Sequence, residues 1–229
     1  MKQIPLPIGP EPLPTFESFH SAGNAAALAH LRALVMPAAP VYLWGGPGSG
    51  KTHLLRALAH ACQQSGQRVG WFDAASALPW TLAPDWALVV IDRCDALDAQ
   101  AQQAAFTVFV EAGTHGVQVA AAGRVPPVDL TVREDLRSRL GWGHVFALQP
   151  PTDSETRAAL RREADRRGIF LSDEVMDHLQ TRFARDLGSL MGLLDRLDRF
   201  ALARSRPVTV PLLRQMLAEE GPPAGGAAP

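Results

Sequence analysis

The chain has 229 residues, 47% of them apolar and 20% charged, with a formal net charge of −1. This composition fits a folded globular protein with one large or two small cores, and it excludes a fibrous or wholly disordered chain. The near-neutral balance also argues against holding nucleic acid by bulk electrostatics, and no apolar stretch approaches the about 18 residues of a membrane helix.

The N-terminus lacks the charged-then-apolar pattern of a signal peptide, so a cytoplasmic location is expected. Residues 1–14 hold five prolines interleaved with aliphatic side chains and can enter neither a helix nor a central strand. They read as an extended arm. Gln3, Ile4, Leu6 and Ile8, on a backbone stiffened by Pro5 and Pro7, form a peptide that could fill a partner's groove at low entropic cost; a frayed terminus is the plain alternative. After Phe16 and Phe19 an Ala/Leu-rich segment, 24–35, predicts a helix ended by Pro37 and Pro40.

The apolar run 41–44 predicts a buried strand, and it opens directly into Gly45-Gly46-Pro47-Gly48-Ser49-Gly50-Lys51-Thr52, a G-x-x-x-x-G-K-T phosphate loop followed by a helical pattern over 52–65. The strand–loop–helix order is the context this motif requires. Its glycines let backbone N–H groups turn toward phosphate oxygens, Lys51 would reach the terminal phosphates, and Thr52 would ligate Mg²⁺. The chain has only two lysines, so lysine at 51 stands out where arginine is the usual cation.

Strands are predicted at 69–73 and 87–92, the second a continuous apolar run closed by Asp92, as in a strand buried on both faces. Asp92 is the natural Walker B acid for the Mg²⁺ shell. A helix over 99–112, a strand over 117–122, a short basic helix over 135–140 and a strand over 144–148 complete a doubly wound α/β core with five strands. Beyond Pro150 and Pro151 the pattern is helical only, at 153–167, 172–184, 186–204 and 208–218, which predicts a small all-helical lid. The expected organisation is an arm (1–14), an α/β core (15–149), a helical lid (150–218) and a disordered Gly/Pro-rich tail (219–229). Fifteen arginines lie in 133–214, a distribution that reads as solvated helical surface. Cys62 and Cys94 read as packing residues, and no histidine pair has the i, i+4 spacing of a helical zinc site.

A phosphate-loop core followed by a small helical domain resembles the AAA+ ATPases. Phe16-x-x-Phe19, Gly50-Lys51-Thr52-His53-Leu54-Leu55, Pro126-Pro127, and Ser138-Arg139-Leu140-Gly141-Trp142-Gly143 with Gln149-Pro150-Pro151 narrow the resemblance to the DnaA-like family, over residues 15–218. That family contains the bacterial replication initiator DnaA and regulators that inactivate it. The initiator continues past its lid into a DNA-reading domain; here the sequence ends within a dozen residues of the last lid helix, so no sequence-specific DNA binding is expected. Gln3-Ile4-Pro5-Leu6-Pro7 is similar to the peptide by which proteins dock on the DNA sliding clamp.

The resemblance implies several roles. Residues 45–52 with Asp92 and Arg185, the lid's sensor 2, would bind ADP or ATP, and Thr52 and Asp92 would hold Mg²⁺. Arg139 would be an arginine finger acting in trans. Sliding clamp and DnaA would be the partners, and self-association stays open. Two positions depart from the pattern. The acid expected after Asp92 is Arg93, with Asp95 two residues too far along unless the backbone rearranges. The polar sensor 1 position falls on Arg124, with a one-residue uncertainty. A guanidinium cannot act as a base at neutral pH, so poor intrinsic turnover is expected. The alternatives are a self-sufficient AAA+ ATPase acting as a helicase loader or recombination helper, and a clamp-bound scaffold with a structural nucleotide.

Overall fold

The structure, a computed structural model, describes residues 13–19, 22–183 and 186–221. The chain divides into two compact units at Pro150/Pro151. In the first, α1 (Ala25–Arg32) precedes β1 (Val41–Trp44), α2 (Lys51–Gln64), β2 (Arg68–Phe72), β3 (Trp86–Ile91), α3 (Ala99–His115), β4 (Gln118–Gly123), α4 (Glu134–Leu140) and β5 (His144–Ala147). All pairings are parallel and the strand order is β2-β3-β4-β1-β5, the five-stranded α/β core expected from the alternation of apolar runs and helical patterns.

Period-two alternation divides the sheet between two cores. Val41, Leu43, Leu88, Val90, Ala120 and Ala122 face α1 and α2, where Leu54, Leu55 and Leu58 cover them. Tyr42, Val89, Ile91, Val119 and Ala121 face the other way, onto Ala105, Val108, Phe109 and Ala112 of α3 and Leu136 and Leu140 of α4. The central strands are therefore buried on both faces, which is why they read as unbroken apolar runs. Cys62 and Cys94 are buried free thiols within these cores.

Several element bounds differ from expectation by one to three residues. α1 stops at Arg32, three residues early, and α3 continues through Gly113 to His115. Gly113 lies inside the helix, and the left-handed residue that ends α3 is Gly116, at φ 66°, whose N–H returns to the Ala112 carbonyl.

The strand order fixes where the loops meet. β4 lies between β1, which delivers the phosphate loop, and β3, which delivers Asp92. Whatever follows β4 therefore sits between them, at the C-terminal edge of the sheet.

The second unit contains α5 (Asp153–Arg166), α6 (Asp173–Arg182), α7 (Leu187–Arg204) and α8 (Val210–Glu220) around a core of Leu160, Met176, Leu179, Leu193, Leu197, Phe200, Leu213 and Met216. Each helix starts at a side-chain cap: Thr152, Ser172, Asp186 and Thr209 all accept a bond from a first-turn N–H. Many of the lid arginines are ion-paired, Arg157 to Asp173 and Asp177, and Arg167 to Glu163 and Asp195. Among the described residues no helix is long and apolar enough to cross a membrane.

Candidate functional site

The phosphate loop joins β1 to α2, and Gly45, Gly48 and Gly50 all have positive φ. Gly50, the residue before α2, combines φ 89° with a close approach: a Cβ there would lie 2.5 Å from Cε2 of Phe19. Lys51 donates from Nζ to the carbonyls of Gly45 (2.7 Å) and Gly46 (2.8 Å) and to Ser49 Oγ (3.2 Å). Its three protons are thus satisfied by the loop itself. Burial lowers its pKa, while Asp95 and Asp92 oppose that shift.

Asp92 caps β3 and is 3% exposed. Its Oδ2 accepts from Thr52 Oγ1 at 2.8 Å and its Oδ1 from the Arg93 N–H at 2.9 Å. A hydroxyl and a buried carboxylate in contact beside a lysine ammonium form a donor set suited to a phosphate-bound Mg²⁺. Among the described residues no cluster of three or more His, Cys, Asp or Glu side chains could hold a metal without such a ligand.

The departures at 93 and 124 have a structural explanation. Arg93 takes a left-handed conformation (φ 53°, ψ 51°), and its guanidinium leaves the site to pair with Asp73 at the end of β2, 2.8 Å away. That bond holds the Asp73 carboxyl below the usual range. The chain then winds through a 3-10 turn, Cys94–Ala96, which returns Asp95 toward the end of β4. Asp95 Oδ1 accepts from the Arg124 N–H at 2.9 Å, and Oδ2 lies 3.5 Å from Arg124 Nε. Asp95 is thus held beside Arg124, just past the end of β4. β4 runs one residue past the expected end, to Gly123, so Arg124 is the first residue after the strand and the strand's last residue carries no side chain. A Cβ on Gly123 would collide with the Tyr42 hydroxyl, which donates to the Val125 carbonyl at 3.0 Å.

A strap that sequence reasoning did not connect to the loop closes one side. Thr15 and Ser18 hold each other through reciprocal backbone-to-hydroxyl bonds, and His53 Nε2 lies 3.0 Å from the Thr15 carbonyl and 3.2 Å from Ser18 Oγ. The His53 ring also packs on Phe19, and burial lowers its pKa. Asn24 and Gln149 exchange two bonds of 2.8 Å, fixing the strap's far end to the chain after β5. Only the position of His53, directly after Thr52, hinted at this role.

Arg139 lies in the last turn of α4, with its guanidinium 5.3 Å above the Phe106 ring of α3. α4 runs from the chain after β4 to the chain before β5, so Arg139 is placed near the N-terminal edge of the parallel sheet. Gly143 fits there because any side chain would collide with the Pro40 carbonyl, to which the His144 N–H donates at 2.8 Å. The phosphate loop leaves the opposite, C-terminal end of β1, the strand beside β5. Neighbouring Arg133, read as a solvated charge, makes a two-bond pair with Asp135 at 3.0 and 2.6 Å. Gln3, Ile4, Pro5, Leu6, Pro7 and Arg185 lie outside the described residues.

The profile of the family described as "Hda, lid domain" matches residues 153–217. An uncharacterised protein of Haemophilus influenzae is 31% identical over 229 aligned positions, covering 94% of this chain and 98% of that protein. Domain III of the Thermotoga maritima replication initiation protein DnaA superposes with a TM-score of 0.73 at 22% identity, over 91% of this chain and 98% of that one. AMPPCP-bound DnaA from Aquifex aeolicus gives 0.64 at 20%, over 82% of this chain and 66% of its own. The Thermotoga maritima RuvB branch migration motor gives 0.62 at 17%, over 92% of this chain and 74% of its own. The chain thus has the AAA+ fold of DnaA domain III, its lid over residues 153–217 matches the Hda lid family, and over nearly its whole length it is a relative of the Haemophilus protein.

Proposed function

We propose that this protein is a nucleotide-bound activator of DnaA's ATPase: it docks on the DNA sliding clamp and completes the catalytic site of an adjacent ATP-bound DnaA with Arg139, leaving DnaA in its ADP form. The observation that carries this reading is the placement of Arg139. It sits in the last turn of α4, on the chain that enters β5, whereas the phosphate loop leaves the opposite end of β1, which supports a role at another subunit's terminal phosphate. Inserted there, a planar guanidinium neutralises charge on the transferring phosphoryl group.

Within this chain, Gly45 to Thr52 would hold the phosphates of ADP or ATP, with Thr52 and Asp92 on Mg²⁺. The positive-φ loop, the ammonium satisfied only by loop carbonyls and one hydroxyl, and the Thr52–Asp92 contact all fit such a ligand. Its bound phosphates supply the charge that draws Lys51 off the loop carbonyls. Arg185 would contact the nucleotide from the lid. Gln3, Ile4, Pro5, Leu6 and Pro7 would tether the protein to the clamp, setting its local concentration beside newly replicated DNA without any DNA reading of its own. Slow intrinsic turnover is part of this reading, because DnaA supplies its own water-orienting acid.

A pull-down with purified clamp tests the tether. The wild-type protein is retained, and Gln3→Ala with Leu6→Ala is lost; equal retention would remove the clamp from the account.

A further inference from the structure

α3 holds both ends of α4. At the start of α4, Gln102 Oε1 accepts from the Arg133 N–H at 3.0 Å; one turn further along α3, the Phe106 ring lies under the Arg139 guanidinium at 5.3 Å. The backbone around Arg139 is closed as well. The Gly141 N–H donates to the Arg137 carbonyl at 3.1 Å, and the Trp142 N–H to the Arg139 carbonyl at 3.2 Å. The freedom left to Arg139 is therefore the rotation of its own long side chain. Phe106 is itself packed against the core on the α3 side of the sheet, so its ring is a fixed platform.

Arg133 stands over the same ring, 5.5 Å from its centroid. Two free cations there would repel each other, but Arg133 is neutralised by its two-bond pair with Asp135. Among the described residues Arg139 has no carboxylate partner, and the ring is what it meets. The difference matters chemically. A carboxylate would occupy the N–H donors of a guanidinium and cancel its charge, whereas an aromatic face attracts the cation and leaves both available to an incoming phosphate.

We propose that Phe106 is a positioning residue for Arg139: its ring face holds the guanidinium, charged and with its donors unused, in place to meet the terminal phosphate of a nucleoside triphosphate bound by a neighbouring ATPase subunit. The proposal deepens the activator reading above and rests on it. Phe106 takes part in no bond that forms or breaks. It lowers the cost of ordering a flexible side chain when the phosphoryl group transfers.

The test uses the full chain with Phe106→Leu, Phe106→Tyr and Arg139→Ala. Hydrolysis of ATP preloaded on DnaA is measured against the concentration of each variant, with clamp loaded on DNA. Leucine keeps the apolar bulk and loses the ring face; tyrosine keeps the face. Phe106→Leu should lower the maximal acceleration about threefold to tenfold, with the half-maximal concentration within about twofold of wild type, and Phe106→Tyr should restore most of that loss. In the protein alone, the Arg139 Nε–H NMR signal, assigned by its absence in Arg139→Ala, should be shielded by the ring in wild type and Phe106→Tyr and move downfield in Phe106→Leu. Retention on clamp verifies that each variant is folded, and Phe106→Met, which adapts to irregular cores, replaces Phe106→Leu if that variant does not fold. Wild-type acceleration or an unmoved Arg139 signal in the ring-less variant would overturn the proposal. So would equal losses in Phe106→Leu and Phe106→Tyr, or a loss confined to the half-maximal concentration, since either assigns Phe106 to packing. No acceleration by the wild type, or full acceleration by Arg139→Ala, would instead overturn the activator reading and the Phe106 role with it.

Discussion

Single residues decide whether the phosphate loop can be occupied. Lys51 is the loop's only ammonium, and its bonds to the Gly45 and Gly46 carbonyls and Ser49 are what an incoming phosphate must replace. Charge-assisted bonds of this kind contribute about 1.5–3 kcal/mol each, so Lys51→Ala should weaken adenine nucleotide binding about a hundredfold or more by titration calorimetry. An affinity within threefold of wild type would contradict that. Gly50→Ala meets two obstacles, a backbone at φ 89° and the Phe19 ring 2.5 Å from the new methyl carbon. It should destabilise the protein by about 1–3 kcal/mol in thermal or denaturant unfolding, and an unchanged midpoint would show that the strap yields freely. The eight-residue motif made the loop legible in the sequence, and the apolar run closed by Asp92 made the carboxylate legible. The return of Asp95 was not: it depends on left-handed Arg93, a residue type that carries no signal for that conformation. The strap around His53 was equally hidden, since its bonds join residues 35 and 38 positions apart.

At the level of elements, the helix starts were readable because caps are local chemistry. Thr152 and Glu155 form a reciprocal capping box: Thr152 Oγ1 accepts from the Glu155 N–H at 3.2 Å, and the Thr152 N–H donates to Glu155 Oε2 at 2.8 Å. Thr152→Ala should therefore cost about 1 kcal/mol of stability, read as a shift in the urea midpoint. Within the lid, Glu163 accepts from Arg166 and also from Arg167, each at 2.6 Å, and these bonds hold its carboxyl below the usual range. A carboxyl whose folded pKa is depressed contributes stability above its unfolded value of about 4.3 and loses it as pH falls through the folded value. Glu163→Gln should accordingly be less stable than wild type at neutral pH, with the difference shrinking as melts are taken down through the acid range; a difference independent of pH would assign the effect to packing. The end of α3 lies beyond its expected bound: Gly113 sits inside the helix, and a left-handed φ at Gly116 ends it.

At the scale of the whole chain, the parallel sheet separates two chemistries. One edge carries the phosphate loop, Asp92 and Asp95; the other carries the end of α4 with Arg139 and the exposed Trp142 beside it. The alternation of apolar runs with helical patterns was enough to read the five-stranded core. The position of Arg139 relative to its own loop was not legible, because it depends on the strand order that places β5 beside β1. That separation is what the proposed role of Arg139 in trans requires. The central claim is tested most directly by single-turnover hydrolysis of radiolabelled ATP preloaded on DnaA, with this protein added at a low ratio in the presence of clamp loaded on DNA. The account predicts clamp-dependent acceleration of ADP formation, lost with Arg139→Ala although that variant binds ADP and clamp as the wild type does. Acceleration that persists in Arg139→Ala, or none with the wild-type protein, would contradict it.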